Sequence, residues 1–390
     1  MEVNTQPLSE IAYFIVDIPS HSLPFLGYLT HLKSQGLNFD LYCPTNYKDM
    51  FGALPQNIFE FKELSWRKEG LAEGFLTAYD GFLKTIPAVE ALWEEKQYKP
   101  KLIIADMLAA IVPILTKKYE IPLVVLHSNY FMLRSEVMSK EIAKIERDES
   151  LIPLEKQVEE KYGVQIRTGK DIFIEGDRNV SCLPKFVGEM ITPPDDNFVY
   201  IGPGFRDEDD ASALAINDEL LKDNDIIYVS LGTSPTNILG DTCYDSIIEA
   251  LKDTEYKVII SAMGKAEELI AKGVPKNIVV KSWVPQLKVL EHSKLFISHV
   301  GAGGFMEALS KGVPIIAAPI TADQPITASV VEALGLGKWL QDKTPESIKK
   351  TVEEVLRSDA IKENCKKFKE LINPKASKEA FAGIIKSYIK

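Results

Sequence analysis

Short apolar runs alternate with longer amphipathic segments along this chain, and the whole series occurs twice. The run Leu102-Ile-Ile-Ala-Asp106 illustrates the first series, and Ile226-Ile-Tyr-Val-Ser-Leu231 opens the second. Apolar strands separated by helices are typical of a parallel sheet covered on both faces. At 390 residues the chain also exceeds one ordinary core. The pattern therefore predicts an α/β protein with two parallel-sheet domains.

The same alternation predicts the individual elements. Strands are predicted at 11–18, 37–43, 58–64, 102–106, 123–127, 226–231, 257–262, 278–281, 295–299 and 315–319. Helices are predicted at 24–34, 71–95, 108–120, 244–252, 303–311, 323–334 and 345–358, with further helices to the end of the chain. Residues 129–172 show no pattern that predicts an element.

The two series meet at the bend Gly202-Pro-Gly204, which runs into acidic residues. The acidic run contains an Asp-x-Asp pattern, but it follows a bend and not an apolar strand. We therefore interpret it as a solvated linker and not as a metal motif. The predicted division is a first domain at 1–205, a linker at 206–222, a second domain at 223–375, and a C-terminal helix at 376–390 that could cross back to the first domain.

Charge and cysteine usage limit the classes of partner. The net charge is −11 and no Lys/Arg run stands out, which disfavours nucleic acid and anionic membranes. Four dispersed cysteines without a Cys-x-x-Cys pair indicate free thiols and no metal site. No signal-peptide pattern and no long apolar run are present. These features predict a soluble cytoplasmic protein without a metal or a membrane span.

The stretch from Trp283 to Gln324 carries the most chemistry. It supplies an aromatic residue, an apolar strand, a glycine-rich bend that opens a helix with the early carboxylate Glu307, and a second strand ending in Asp323-Gln324. The face of Trp283 can stack on a base, and Glu307 can accept hydrogen bonds from ribose hydroxyls. A glycine turn at a helix N-terminus offers free N–H groups to a pyrophosphate. The parts match a nucleotide that carries a sugar.

This stretch resembles the signature of family 1 nucleotide-sugar glycosyltransferases, most closely their bacterial macrolide-type and flavonoid-modifying members. The resemblance implies the GT-B fold, in which two Rossmann-like parallel-sheet domains face each other across a cleft. It also implies that Trp283 stacks on the nucleobase and that the backbone of Val284 reads the base edge. The other donor-binding residues it implies are Gln286 and Glu307 for the ribose, His299, Gly301, Gly303 and Gly304 for the pyrophosphate, and Asp323 and Gln324 for the transferred sugar.

One departure from the family pattern affects the phosphates. Many relatives carry Asn-Ser or Asn-Thr where this chain has Gly303-Gly304, so a hydroxyl that would contact phosphate is missing. A charge-assisted hydrogen bond contributes roughly 1.5–3 kcal/mol, so we expect weaker donor binding. The turn Ser230-Leu-Gly232-Thr233-Ser234 resembles the family's Gly-Thr/Ser turn and could compensate.

His21 follows the first strand, in a His-x-x-Pro segment that resembles the family's catalytic-base motif. A histidine there can take the proton of an acceptor hydroxyl. Asp106 ends another strand and matches the acidic partner, which would fix the imidazole tautomer. The simpler alternative is that His21 starts a helix and Asp106 caps the next one. The resemblance implies a catalytic dyad that performs a single inverting displacement without a metal.

Aromatic and methionine side chains of the first domain predict a pocket for a flat apolar acceptor. The candidates are Phe25, Trp66, Phe75, Tyr79, Phe82, His127, Tyr130, Phe131 and Met132. Phe75, Tyr79 and Phe82 recur at helical spacing, so core packing explains part of the set equally well.

The predicted activity is transfer of glucose from UDP-glucose to a hydroxyl of a small lipophilic acceptor, by a monomer or weak dimer. The nucleotide sugar is a co-substrate, and no cofactor is expected. A dTDP-deoxysugar or UDP-GlcNAc fits the same residues, and a sugar-nucleotide epimerase would need a different acid/base set. A nucleotide-sugar-binding protein that has lost catalysis remains the alternative from another class. A dehydrogenase is disfavoured because no Gly-x-Gly-x-x-Gly follows the first strand.

Overall fold

The computed structural model of the chain describes residues 7–45, 47–61, 71–128, 140, 143, 149, 152–166, 173–191, 197–206, 220–222, 225–232, 240–320 and 324–389. The chain divides into two compact units. The first comprises Met1–Arg206 together with Pro374–Lys390, and the second comprises Asp207–Asn373.

The first unit is built on a parallel sheet. Its strands are β1 (Ile11–Phe14), β2 (Asp40–Pro44), β3 (Asn57–Phe61), β4 (Leu102–Asp106), β5 (Leu123–His127), β6 (Arg178–Ser181) and β7 (Phe198–Tyr200). Its helices are α1 (Pro19–Ser22), α2 (Leu26–Ser34), α3 (Lys48–Phe51), α4 (Leu71–Glu95), α5 (Val112–Tyr119), α6 (Ile152–Tyr162) and α7 (Lys185–Ile191), with a 3-10 turn at Leu23–Phe25. Over the described residues the strand order is β3-β2-β1-β4-β5-β6-β7.

Buried side chains cover both faces of this sheet. Along β1 they alternate between two buried clusters, with Ala12 and Phe14 in one and Ile11 and Tyr13 in the other. Successive side chains of a strand point to opposite faces, so both faces of β1 are packed. A strand buried on both faces has to be apolar at nearly every position, which explains the uninterrupted apolar run of β4.

The second unit repeats this plan with its own parallel sheet. Its strands are β8 (Ile226–Ser230), β9 (Lys257–Ser261), β10 (Ile278–Lys281), β11 (Ser293–Ser298), β12 (Ile315–Ala317) and β13 (Gly337–Trp339). Its helices are α8 (Gly240–Leu251), α9 (Ala266–Ala271), α10 (Gln286–Glu291), α11 (Ala302–Lys311), α12 (Gln324–Ala333), α13 (Pro345–Arg357) and α14 (Asp359–Lys369). The order over the described residues is β10-β9-β8-β11-β12-β13.

The final helix, α15 (Pro374–Tyr388), packs on α2 within the first unit. Phe381 is fully buried, and its ring centroid lies 5.2 Å from that of Tyr28. The segment after β7 lies against the same helix, because the Tyr28 hydroxyl donates to the Gly202 carbonyl. A Cβ added to Gly27 would collide with the carbonyl oxygen of Gly204, so a glycine is required at this close approach.

The predicted alternation of strands and helices is confirmed. Each predicted strand is found, and the predicted bounds of β4, β5, β10 and α4 match those observed. The strand predicted at 11–18 ends earlier, at Phe14. Three strands of the described part were not predicted, namely β6, β7 and β13.

Candidate active site

Each sheet has one point where its strand order reverses. In the first unit this point lies between β1 and β4, and in the second it lies between β8 and β11. Ligands of open α/β sheets bind outside the carboxyl ends of the strands at such a point. Asp106 ends β4, and His21 follows β1. In the second unit Gly232 follows β8 and His299 follows β11. These four residues therefore lie at the points where ligands of such sheets bind.

His21 and Asp106 form a buried hydrogen-bonded pair. His21 Nδ1 lies 3.1 Å from one Asp106 carboxylate oxygen and 3.3 Å from the other. Both residues are buried. An ionised carboxylate can only accept, so Nδ1 of the neutral imidazole carries the proton and donates it. The lone pair of the ring is then on Nε2, which is the atom able to accept a proton.

A second donor holds the Asp106 carboxylate. The Leu108 amide donates to Asp106 Oδ1 at 2.9 Å, and the Ala109 amide bonds to the Asp106 carbonyl. Helix α5 starts only at Val112 and is preceded by Ile111 as its N-cap. Asp106 therefore stabilises the turn after β4 and is not the cap of the next helix, whereas His21 does lie in the short helix α1.

His299 is enclosed by two glycines in the second unit. A Cβ added to Gly232 would lie 2.8 Å from His299 Nε2, and one added to Gly301 would lie 2.7 Å from it. Gly232 also has a φ of +95°, which favours glycine. The structure thus brings together the turn after β8 and the glycine bend before α11, two segments that were selected separately from the sequence.

The surroundings of His299 keep its imidazole neutral. Burial lowers the pKa of His299 to about 4, and a hydrogen bond to the Ser230 backbone opposes part of that shift. The Nδ1 atom is buried and has no hydrogen-bond partner among the described residues. Leaving a buried polar atom unpaired is costly. Because the single N–H of the neutral ring is bonded to the Ser230 backbone, a ligand hydroxyl that donates to Nδ1 would satisfy it.

The turn that opens helix α11 has an uncommon backbone conformation. Val300 has a φ of +56°, in the left-handed region that β-branched residues rarely adopt. The Ser298 side chain accepts from the Val300 amide at 3.0 Å and holds this turn. Within α11 the first amide bonded back to the turn is that of Phe305, to the Gly301 carbonyl. The earlier amides, at residues 302–304, precede the intrahelical ladder and are available to an anion.

Trp283 lies two residues after the end of β10. The residue is 37% exposed. Val284 is buried, and α10 begins at Gln286. An exposed indole at the carboxyl edge of the sheet can stack on a base.

Gln286 and Glu307 lie together. Gln286 Nε2 donates to the Glu307 carboxylate, and the Tyr228 hydroxyl donates to Gln286 Oε1 at 2.9 Å. The two predicted ribose-binding residues are thus in direct contact, one on α10 and the other on α11. Tyr228 was missed from the sequence because, in the run Ile226–Ser230, it has the pattern of an ordinary buried strand residue.

Gln324 starts helix α12 and is buried, and its Oε1 atom accepts from the Ile320 amide at 2.6 Å. Its side chain therefore ties the start of α12 to Ile320, which follows β12. Thr233, Ser234 and Asp323, the other predicted donor residues of these loops, lie outside the described residues.

The predicted acceptor residues are only partly described. Phe25 is fully buried against Tyr28, and His127 is buried between Asn179 and Phe198, so core packing accounts for both positions. Of Phe75, Tyr79 and Phe82 the structure describes only the backbone, on helix α4, while Trp66, Tyr130, Phe131 and Met132 lie outside the described residues.

The described residues contain neither a metal-binding cluster nor a membrane-spanning helix. No group of three or more His, Cys, Asp or Glu side chains in this part of the chain is arranged to hold a metal ion. None of the described helices combines the length and the apolar character needed to cross a bilayer.

Comparisons with known sequences identify related glycosyltransferases. Residues 210–377 match the family model described as UDP-glucoronosyl and UDP-glucosyl transferase. The NDP-glycosyltransferase YjiC of Bacillus licheniformis is 31% identical over 318 residues, which are 79% of this chain and 76% of the relative.

Solved structures share the fold over the whole chain. The glycotransferase of kitacinnamycin superposes with a TM-score of 0.84 at 22% identity, covering 98% of this chain and 99% of that one. A UDP-glucose: anthocyanidin 3-O-glucosyltransferase in complex with UDP gives 0.73 at 16% identity, with the same coverage. These likenesses confirm the predicted GT-B fold with two Rossmann-like parallel-sheet units. From its sequence relatives, the chain belongs to family 1 of the nucleotide-sugar glycosyltransferases.

Proposed function

We propose that this glycosyltransferase moves glucose from UDP-glucose to a hydroxyl of a small lipophilic acceptor, with His21 as the general base and inversion at the anomeric carbon. The observation that carries the proposal is the buried hydrogen bond from His21 Nδ1 to Asp106. It leaves Nε2 as the basic atom of a neutral imidazole. Among the structural neighbours, one is named as a UDP-glucose-dependent glucosyltransferase, which supports this choice of donor.

In this proposal His21 acts on the acceptor. A hydroxyl is a poor nucleophile at neutral pH, so His21 Nε2 takes its proton while the oxygen bonds to the anomeric carbon. Asp106 then stabilises the imidazolium that forms, and the Leu108 amide keeps the carboxylate in place. Because this stabilisation develops only as the proton moves, losing Asp106 should reduce the rate more than the binding of either substrate.

The second unit holds the donor and takes up the leaving group. Attack by the acceptor oxygen breaks the bond between the anomeric carbon and the diphosphate oxygen, and one such displacement inverts the configuration. The amides at 302–304 stabilise the negative charge that the departing diphosphate gains. The single N–H of the neutral His299 ring is bonded to the Ser230 backbone, so its free Nδ1 would accept from a hydroxyl of the donor.

The remaining contacts with the donor are those that the family resemblance implies. Trp283 would stack on uracil, and Gln286 with Glu307 would hold the ribose. Gln324 and Asp323 would bond the hydroxyls of the transferred sugar, a pair that in such enzymes occurs most often with glucose. Neither a dTDP-deoxysugar nor UDP-GlcNAc changes the stacking surface, so base stacking by itself leaves both as alternative donors.

The test is UDP release from UDP-glucose with a panel of phenolic and macrolide acceptors, with products identified by mass. We expect His21→Ala to lower kcat by a factor of about 10²–10⁴, and Asp106→Asn to lower kcat while leaving the donor KM unchanged. His31→Ala is the matched control, because His31 is a partly exposed histidine on α2 of the same unit.

The outcomes separate the competing functions. Acceptor-dependent release and a glucosylated product that depend on His21 support the proposal. UDP-glucose binding without turnover, equal in wild type and His21→Ala, would instead support a binding protein without catalysis. Turnover with a dTDP- or GlcNAc-nucleotide and none with UDP-glucose would correct the donor and keep the mechanism.

A further inference from the structure

Tyr228 is a buried residue of the second unit for which the proposed function has no role. It lies in the middle of β8 and pairs across the sheet with Phe296 of β11. The two rings are stacked, with centroids 5.0 Å apart and planes inclined by 6°. The Tyr228 hydroxyl donates to Gln286, and Gln286 donates to Glu307. These three side chains form one hydrogen-bonded chain, from the centre of the sheet to helix α11.

The direction of each hydrogen bond in this chain follows from its end groups. An ionised carboxylate only accepts, so the amide nitrogen of Gln286 faces Glu307 and the amide oxygen faces Tyr228. Burial raises the pKa of Tyr228, so its hydroxyl keeps its proton and donates. Gln286 therefore presents N–H groups at the same place where Glu307 presents lone pairs.

We propose that Tyr228 is a positioning residue that makes the donor site selective for ribose over 2′-deoxyribose. The inference rests on the donor-site function proposed above. The two neighbouring hydroxyls of a ribose can donate to Glu307 while one of their oxygens accepts from Gln286. A 2′-deoxyribose lacks one hydroxyl and leaves one of these partners unpaired, which is costly. The Tyr228 hydroxyl holds the Gln286 amide oxygen and so keeps the amide N–H groups turned towards Glu307 and the ribose.

The test compares the binding of UDP and 2′-deoxy-UDP, which differ by one hydroxyl, by titration calorimetry. We expect the wild type to bind UDP about tenfold more tightly, as one well-placed hydrogen bond allows. Tyr228→Phe keeps the stacked ring and removes only the hydroxyl. This variant should lower the preference for UDP over 2′-deoxy-UDP to about threefold, mainly by weakening the binding of UDP.

Tyr42→Phe is the matched control for a lost buried hydroxyl. Tyr42 is a fully buried tyrosine of the first unit that is stacked on Phe14 and accepts from Trp93 Nε1 at 2.8 Å. This variant should keep the tenfold preference. The second control is a double-mutant cycle. In a Gln286→Ala background, Tyr228→Phe should not change the preference further, because the amide that it positions is gone.

Each outcome supports or overturns the inference. A tenfold preference that Tyr228→Phe leaves unchanged overturns it while the donor site stands. The inference is also overturned if Tyr228→Phe lowers the preference further in the Gln286→Ala background. The hydroxyl would then act by a route other than the Gln286 amide. If the wild type binds neither nucleotide, the donor-site proposal fails, and this inference fails with it.

Discussion

Three of the five histidines in this chain have different chemistry because their partners differ. His21 donates to a carboxylate and keeps a basic nitrogen. His299 has a buried nitrogen that lacks a partner among the described residues and suits a ligand. His127 lies 3.1 Å from the amide oxygen of Asn179 and contacts the ring of Phe198, both within the core. The residue type is the same, and the neighbouring side chains decide what each one can do.

His127 should make the stability of the protein depend on pH. Burial lowers its pKa to about 4, whereas an unfolded histidine titrates near 6.5. Between these values the unfolded state binds more protons, so stability falls as the pH falls from about 6.5 towards 4. Between about pH 7 and about pH 5.5 the free energy of unfolding should fall in both proteins. We expect this fall to be roughly 1 kcal/mol smaller in His127→Gln than in the wild type.

Urea unfolding of both proteins at the two pH values measures this difference. His31→Gln is the control, because it makes the same substitution at a partly exposed histidine of the same unit. An equal pH dependence in wild type and His127→Gln would mean that His127 is not held neutral by its burial.

Single residues of the site were predictable where they break a local pattern. Trp283 and His299 could be selected because an aromatic residue before a turn and a histidine beside glycines are unusual against apolar strands. Tyr228 gives no such signal, since a tyrosine suits any buried strand. Only the sheet register, which sets Tyr228 beside Phe296 below Gln286, shows that its hydroxyl reaches the site.

At the scale of single elements, the start of helix α11 offers the most direct test. A Cβ added to Gly304 would lie 3.6 Å from Gln286 Nε2 and 3.7 Å from Ser298 Oγ, which is ordinary contact. Gly304→Ser therefore fits, and its hydroxyl adds a donor beside the free amides. We expect UDP to bind roughly three- to tenfold more tightly, as for one added hydrogen bond, in titration calorimetry.

Gly304→Ala is the control for the helix itself. It places the same Cβ in the same contacts and adds no hydroxyl. Both variants remove a glycine from the first turn and should gain about 0.5–1 kcal/mol in unfolding free energy. If the affinity for UDP increases equally in both variants, the increase comes from the more stable helix. The missing hydroxyl at Gly304 would then not be what limits donor binding.

The elements missed from the sequence share a physical cause. β7 and β13 have three residues each and are edge strands of their sheets. β6 is Arg178-Asn-Val-Ser181, and its polar residues do not predict a buried strand. In the structure Asn179 is nevertheless buried, and its side chain accepts from the Gly176 amide. Edge strands and strands stabilised by side-chain hydrogen bonds depend on neighbours that are distant in sequence. The long apolar strands β4 and β5 needed no such information.

At the scale of the whole molecule, the same topological solution occurs in both units. His21 lies at the reversal of the first sheet and His299 at the reversal of the second, and each follows an apolar central strand. A reversal leaves the carboxyl ends of two adjacent strands uncovered by crossover helices. The fold class was predictable because it needs only the repeated alternation, whereas the chemistry of each reversal depends on loop residues that the alternation does not constrain.

The end of the chain should be needed for the stability of the first unit and not for that of the second. Phe381 on α15 is fully buried beside Tyr28, so Phe381→Ala should cost about 3–5 kcal/mol. Hydrogen exchange should show lost protection in β1, β2 and β4, with β8 and β11 unchanged. Lys386→Ala removes only an exposed bond to Gln35 and should change stability by less than about 0.5 kcal/mol. Equal loss of protection in both units would mean that they unfold as one cooperative body, and that α15 stabilises the molecule as a whole.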